Sequence, residues 1–506
     1  MNDSRRMGRW LSVAALFTLA ACGGGGGGGA APAPGAQGPG GDPVAVAPPP
    51  PAAPAPAPAA PSPAPATEAP VFVTLSDPIP AQAEPAPAPP APPTPPPPSV
   101  EPPPAAEPPV AAPPAPAQPV RLAVSEFEVN ATDAGVQHAA SFVRLEGGGY
   151  VAAWQSSPVV NGYPAYYASQ VVFQRFDAFG HPVGSETVAA LEAHSPEVAA
   201  LANGEFLLTW SQSRYQYESN SFARRYSANG EPIGPQITIA LSNFGYHAQP
   251  VALADGGFVL AINASNGRFA PSRGLYRVFN ADGTPRAEEV SLATEPTVDW
   301  RDGVYVLGAT ALPAGGFALS WRESSAGVVR TLTRAFAADG AALGPAAEVP
   351  ANPTLATLPM VTLASGDYLL AWENDTPAGR EIVAQTFSPL GVPVATRTLV
   401  SEVQVPQGHL LNPQAVVLAD GGFALAWLDV EADTEQALGY RVFVQRFEDS
   451  GDARGGRIEL PPQSVPKPFV SGNTFALGAA AFDQVVVLLG EYRPAPDYWD
   501  VRAFVR

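Results

Sequence analysis

From about residue 130 to the end of the chain, apolar residues gather in short runs that recur in a fixed arrangement. One run is entered through a glycine-rich turn, begins with an aromatic residue and usually reaches a tryptophan four residues on. Its copies are GGGYVAAW (147–154), NGEFLLTW (203–210), DGGFVLAI (255–262), AGGFALSW (314–321), SGDYLLAW (365–372) and DGGFALAW (420–427), with a weaker seventh, FDQVVVLL (482–489). Successive copies start 51 to 62 residues apart. A second signature follows each of the first six, an aromatic with glycine four residues later: Phe176/Gly180, Tyr226/Gly230, Phe279/Gly283, Phe336/Gly340, Phe387/Gly391 and Phe447/Gly451. Glycine turns at short spacing between β-rich runs are hairpin signals, so each unit predicts four strands. No helical periodicity interrupts them.

The second run of each unit is apolar at consecutive positions, as in Tyr150-Val151-Ala152-Ala153-Trp154. That suits a sheet covered on both faces, whereas a sandwich strand with one wet face would alternate. Seven four-stranded units of this period predict an all-β chain folded as a seven-bladed β-propeller. The last unit reaches its third-strand aromatic at Phe504 and stops at Arg506, while residues 125–131, SEFEVNA, read as the missing fourth strand. Pairing the two would close the last blade and remove an exposed edge. The repeat resembles the tandem LadGGFxxxW and FdxxGxPxG units of large bacterial secreted proteins and lipoproteins, over roughly residues 120–506. That resemblance implies the architecture and carries no known activity. The glycine pair and Trp are spaced differently from kelch repeats, and the SxDxGxTW box of sialidases is absent.

Composition separates the rest of the chain from this region. Residues 30–119 hold 36 of the 62 prolines, much alanine and few aromatics, so they predict a disordered spacer of polyproline type. A small apolar island, Val71-Phe72-Val73-Thr74-Leu75, interrupts it. Before it stand Gly23 to Gly29, a swivel with no backbone preference. Residues 1–21 carry Arg5, Arg6 and Arg9 ahead of a short apolar run, the pattern of an export signal. The run ends Leu19-Ala20-Ala21-Cys22, which resembles the lipobox of bacterial lipoproteins, and Cys22 is the single cysteine. The resemblance implies cleavage before Cys22 and its diacylglyceryl and N-acyl modification, enough chains for stable anchoring. Gly23 in place of an aspartate points by the same resemblance to the outer membrane. The expected domains are thus 1–21 signal, 22–29 lipidated cysteine and swivel, 30–119 tether and 120–506 propeller.

A formal net charge of −19 excludes a general nucleic-acid binder, which must neutralise phosphates. No nucleophile elbow, P-loop or dinucleotide fingerprint is present, and no cofactor is expected. In a propeller the first-to-second and third-to-fourth turns share one face, where this chain keeps its regular glycine turns. The other face carries the second-to-third and fourth-to-first connections, which vary here and are the expected seat of recognition. Aromatics crowd the second-to-third connections of units 7, 1 and 2: Tyr492, Tyr498, Trp499, Tyr163, Tyr166, Tyr167, Tyr215 and Tyr217. Trp300 lies on the same face. Such residues suit sugar stacking or protein hot spots, or else packing of the loops on themselves. Trp154, Trp210, Trp321, Trp372 and Trp427 recur at one strand position and are expected in the core.

His138, His194, His247 and His409 precede the first strand of their units, and the first three could approach a transition metal. They could equally be tolerated polar residues, because no partner carboxylate is identifiable in sequence. Asp429-x-Glu431-x-Asp433-x-Glu435 alternates like a Ca²⁺ loop but lacks its glycine and terminal glutamate, and reads as solvated charge. Glu323, Glu373, Asp375 and Asp429 stand just after strand 2 and could supply a carboxylate pair for glycoside cleavage. The leading expectation is a non-enzymatic, membrane-anchored binding module for a protein or glycan. A polysaccharide hydrolase or lyase and a periplasmic assembly scaffold are the alternatives.

Overall fold

The computed structural model describes residues 126–506 except 133–134, 162, 216–217, 241–243, 266–269, 295–298, 300–301, 352–356, 378, 402–409, 434–436, 467–474, 482 and 493–498. The described residues fall in one compact unit. Cys22, the glycine swivel and the proline-rich tether lie outside them. The fold is all-β: among the described residues the only helical turns are the three-residue 3-10 pieces Tyr166–Ala168 and Ala202–Gly204.

The strands assemble in chain order into sets of four, each antiparallel and each strand beside its neighbour in sequence. Sheet 1 holds Val136–Arg144, Tyr150–Ser157, Gln170–Phe176 and Pro182–Leu191; sheet 2 holds Ala193–Ala200, Phe206–Tyr215, Glu218–Tyr226 and Pro232–Ala240. Sheet 3 comprises Phe244–Ala252, Phe258–Ser265, Ser272–Phe279 and the short Val290–Ser291, and sheet 4 comprises Gly303–Ala311, Phe317–Ser325, Val328–Phe336 and Ala347–Val349. Sheet 5 runs Met360–Thr362, Tyr368–Thr376, Gly379–Phe387 and Pro393–Ser401; sheet 6 runs Leu410–Val417, Phe423–Asp433, Ala437–Phe447 and Ala453–Glu459, extended by Gln463–Pro466. Sheet 7 has Phe475–Ala479, Val485–Tyr492 and Trp499–Val505 from the end of the chain, and its fourth strand is Glu126–Glu128. Single parallel bridges, Val136 to Trp499 and Ser272 to Gly303, join sheet 7 to sheet 1 and sheet 3 to sheet 4.

The two repeated signatures are two sides of one contact. In the first-to-second turn the leading glycine takes a left-handed conformation, for example φ +90° at Gly148 and +94° at Gly315. The next glycine then sits against the third strand: a Cβ on Gly149, Gly257, Gly316 or Gly422 would lie 2.7, 2.5, 2.1 or 2.2 Å from the carbonyl oxygen of Phe176, Phe279, Phe336 or Phe447. Only a residue without a side chain allows that approach. The aromatic that opens strand 2 pairs in register with the same third-strand aromatic, and the two rings stack: Phe206 on Tyr226 at 5.2 Å, Phe258 on Phe279 at 4.9 Å, Phe317 on Phe336 at 5.1 Å. Trp154, Trp210, Trp321, Trp372 and Trp427 are all buried, as their recurrence at one strand position predicts.

Among the described residues seven apolar clusters hold the sheets, and each lies between one sheet and the next. The last of them joins sheet 7 back to sheet 1, through Val129, Phe142, Trp154, Val486, Leu488 and Val501. Polar side chains stitch the same seams. Ser141 Oγ accepts from Val198 N at 3.1 Å, Asn263 bonds both backbone groups of Val306 at 2.7 and 3.0 Å, and Gln414 bonds Phe475 O at 2.8 Å and Leu477 N at 2.9 Å. Buried apolar seams provide most of the free energy, and the fixed bonds set which rows of residues meet.

Candidate functional site

Several positions differ from the sequence expectation. The second-to-third connections are short in most sheets; in sheet 4 only Ala326 and Gly327, both at positive φ, separate the strands. Sheet 1 is the long case, with a small hairpin of Val159–Val160 and Tyr163–Pro164 and then the Tyr166–Ala168 turn. Tyr167 on that turn is 76% exposed. Tyr163 lies in the small hairpin and Tyr166 in the turn, while Tyr217, Tyr498 and Trp300 lie outside the described residues, as does His409. Tyr215 and Tyr492 belong to second strands and Trp499 opens the third strand of sheet 7, so these three are strand and not loop positions. The backbones of Tyr492 and Trp499 are register partners, and Trp499 also bridges to Val136, which brings this part of sheet 7 against sheet 1.

The three histidines lie within the first strands of sheets 1, 2 and 3, early in each, not ahead of them. Each stands at a break in register: His138/Ser141, His194/Glu197 and Gly245/His247. Bulges of this kind re-aim side chains and gather next to sites. Two non-glycine residues at equivalent bulges, Ser195 and Asn412, take left-handed φ of 53° and 54°, each followed by proline. Such strain persists only where the surroundings over-determine it.

Around these bulges the side chains form a polar row of three separately bonded groups. His247 Nε2 lies 3.3 Å from Glu197 Oε1, Ser141 Oγ donates to Glu197 Oε2 at 3.2 Å, and His194 Nδ1 lies 3.2 Å from Ser195 Oγ. His138 Nε2 is 3.5 Å from Ser157 Oγ, which is 2.7 Å from Ser169 Oγ, and Gln155 Nε2 donates to both hydroxyls. Burial holds the His138 and His194 imidazoles down to about 4, with a smaller push from the neighbouring histidine in each case, His194 on His138 and His247 on His194. Both are therefore neutral at pH 7. Glu197 is the carboxylate partner that sequence spacing could not reveal, because it comes from sheet 2 and serves a histidine of sheet 3. Among the described residues no group of three or more His, Cys, Asp or Glu has the arrangement to hold a metal ion.

Of the acidic candidates, Glu373 and Asp375 share Arg380, while Glu323 and Asp429 lie in other sheets. Glu323, Glu373, Asp375 and Asp429 lie inside second strands, not after them, and Asp429 to Asp433 continue strand 2 of sheet 6 instead of forming a loop. Glu323 is buried and accepts from Thr294 N at 2.7 Å and from the Thr294 hydroxyl. Glu373 accepts from Asn412 N at 2.9 Å, and burial lifts its carboxyl to about 7 against the opposing pull of Arg380. Arg380 also holds Asp375, at 2.8 Å.

No protein-family model matches the chain, and no curated protein matches it. Solved structures with a similar course include a protein of unknown function from Dyadobacter fermentans, at 11% identity and TM-score 0.43, covering 76% of this chain and 97% of that one. A polysaccharide lyase of family PL25, an ulvan lyase bound to a GlcA–Rha3S unit, has 11% identity and TM-score 0.42 over 76% of this chain and 97% of its own. The NanB sialidase of Streptococcus pneumoniae has 10% identity and TM-score 0.38, over 75% of this chain and 70% of its own.

Proposed function

We propose that this chain is a lipoprotein anchored through Cys22 in the outer membrane, whose seven-bladed β-propeller is a binding module for a protein or glycan partner. The blade count and closure are supported by the seven sheets, by the apolar seams that run in cyclic order, and by the pairing of Glu126–Glu128 with Trp499–Val505. The observation that carries the binding reading is the solvent-open part of the polar row, Glu197 of blade 2 and His247 of blade 3 at about 30% exposure each, together with the exposed Tyr167 of the long blade 1 connection. An open carboxylate, an open imidazole and an exposed amphipathic aromatic are groups that hold a polar ligand by hydrogen bonds and stacking.

The test is a screen of the purified full-length chain against a glycan array and a panel of secreted and envelope proteins, repeated with Tyr167→Ala and Glu197→Gln. We expect a ligand whose binding drops at least fivefold in one of the two variants. A confirmed ligand that binds both variants as the parent does would refute the placement on this face. One observation favours an enzyme as the second reading: the Glu373 carboxyl near 7 is poised for proton transfer at neutral pH. Polysaccharide cleavage that disappears in Glu373→Gln would select it.

A further inference from the structure

Away from the polar row, blades 1 and 2 part to leave a cavity of about 330 Å³, at the small end of the range of about 300–1,000 Å³ typical of ligand pockets. Its walls are the fourth strand of blade 1, the third strand of blade 2 and the glycine turn that follows it, the side of the fold where the regular turns lie. Two guanidinium groups line it, Arg175 from blade 1 and Arg224 from blade 2, with Val183 and Val188 as the apolar part.

Arg224 departs from the repeat. It stands two residues before the third-strand aromatic, and four of its equivalents spend their side chains on backbone carbonyls of their own blade, while a fifth, Gln385, has its Oε1 buried without a partner. Gln174 donates to Val183 O at 3.2 Å, Arg277 Nε to Ala287 O at 3.1 Å, Arg334 Nε to Gly344 O at 2.5 Å and Gln445 to Gly455 O at 3.2 Å. The Nε of Arg224 is buried with no hydrogen-bond partner. Its neighbour in the cavity, Arg175, is fixed in place by donating to Ala228 O at 2.7 Å across the seam. An oxyanion in the cavity would meet the part of the Arg224 guanidinium that lines it, whose planar fork suits carboxylate, sulfate or phosphate. Glu231 also lines the cavity, but its side chain is exposed to water, which screens it.

We propose that this cavity between blades 1 and 2 is a binding site for an oxyanion carried on a small, partly apolar body, with Arg224 as its principal contact and Val183 and Val188 as the wall. The site is separate from the polar row and stands or falls independently of it.

The experiment is calorimetric titration of the purified full-length chain at low ionic strength with glucuronate, inorganic sulfate and glucose. Glucuronate should bind, glucose should not, and Arg224→Gln should weaken glucuronate at least tenfold. Tighter binding of glucuronate than of sulfate supports a share for the apolar wall, and sulfate bound as tightly or more tightly overturns the assignment to an anion carried on a larger body. Should Arg224→Gln fail to fold, Val188→Glu, at a half-exposed position, places a negative charge on the same wall and should give a loss of similar size. Binding of neither anion, binding of glucose as strong as glucuronate, or full affinity in the folded variants overturns the proposal.

Discussion

Asn130 ties the strand Glu126–Glu128 to the last one, and replacing it tests whether that pairing carries the stability of the whole fold. Its side chain donates to Asp500 Oδ1 at 2.9 Å and to Thr132 O at 3.1 Å, and its Oδ1 accepts from Val501 N at 2.7 Å. Asn130 and Asp500 are only 3% and 2% exposed, so water cannot replace these bonds without opening the seam. Asn130→Ala removes two donated hydrogen bonds, each worth about 0.5–1.5 kcal/mol, and leaves the Val501 amide buried without a partner, a further cost of about 1–3 kcal/mol. Some relaxation is certain in a segment near a chain end, so we expect a net loss of about 3–4 kcal/mol. Urea unfolding of the full-length Cys22→Ser chain, followed by tryptophan fluorescence, reads it as a lower midpoint at unchanged slope. Asn130→Asp gives an internal check. It can still accept from Val501 but cannot donate to Asp500 while both are ionised, so its defect should shrink as the pH falls and one carboxyl takes up a proton. A midpoint for Asn130→Ala within about 0.5 kcal/mol of the parent refutes the reasoning, because the joint between Glu126–Glu128 and Trp499–Val505 would then be dispensable.

Three further outcomes follow from the same structure. Trp427→Ala, at a fully buried position in the seam between blades 5 and 6, should cost about 3–5 kcal/mol in the same urea assay, whereas Tyr167→Ala should change the midpoint little. For His138 and His194 the folded pKa is held near 4, below the usual 6.5, so the unfolded chain takes up protons first and stability should fall as pH drops from about 6.5 towards 4. Glu373, lifted to about 7, acts in the opposite sense between about 4.5 and 7, so Glu373→Gln should make the acid loss steeper and His138→Gln shallower; unchanged slopes in both refute the assignment. Cys22→Ser should abolish metabolic labelling with palmitate and release the chain from the membrane fraction, and full membrane retention of that variant would defeat the anchoring proposal.

The strand plan could be read from sequence because its cause is local and repeated. A glycine that must take positive φ, a second that must touch a carbonyl and two aromatics that must stack leave marks at fixed spacing, which is why Gly148, Gly149, Tyr150 and Phe176 located their strands. The bulges of the first strands leave no such mark. His138, His194 and His247 looked like residues ahead of a strand because a register break interrupts the apolar pattern there. Glu197 was missed because its partners, Ser141 and His247, come from the two flanking blades, 56 and 50 residues away. Arg224 was hidden by the repeat itself: Arg277 and Arg334 occupy the same place, and only the geometry shows that their guanidinium groups are engaged while its Nε is not. The tyrosines of the second-to-third connections were over-assigned to loops, since Tyr215, Tyr492 and Trp499 extend the strands on either side.

The joint between Glu126–Glu128 and Trp499–Val505 also has a consequence in time. The bond from Val501 N to Asn130 Oδ1 connects residues 371 apart, so its two partners leave the ribosome and any export channel far from each other. Sheets 1 to 6 are each contiguous in sequence and can form as they emerge, but sheet 7 lacks its fourth strand until Glu126–Glu128 returns to it. Throughout that interval the third strand of blade 7 is an unpaired edge, open to another chain of the same kind. On the proposed export route this joint leaves a window of vulnerability that closes when Trp499–Val505 pairs with Glu126–Glu128, and a periplasmic holdase that recognises naked strand edges would be needed until then and not afterwards.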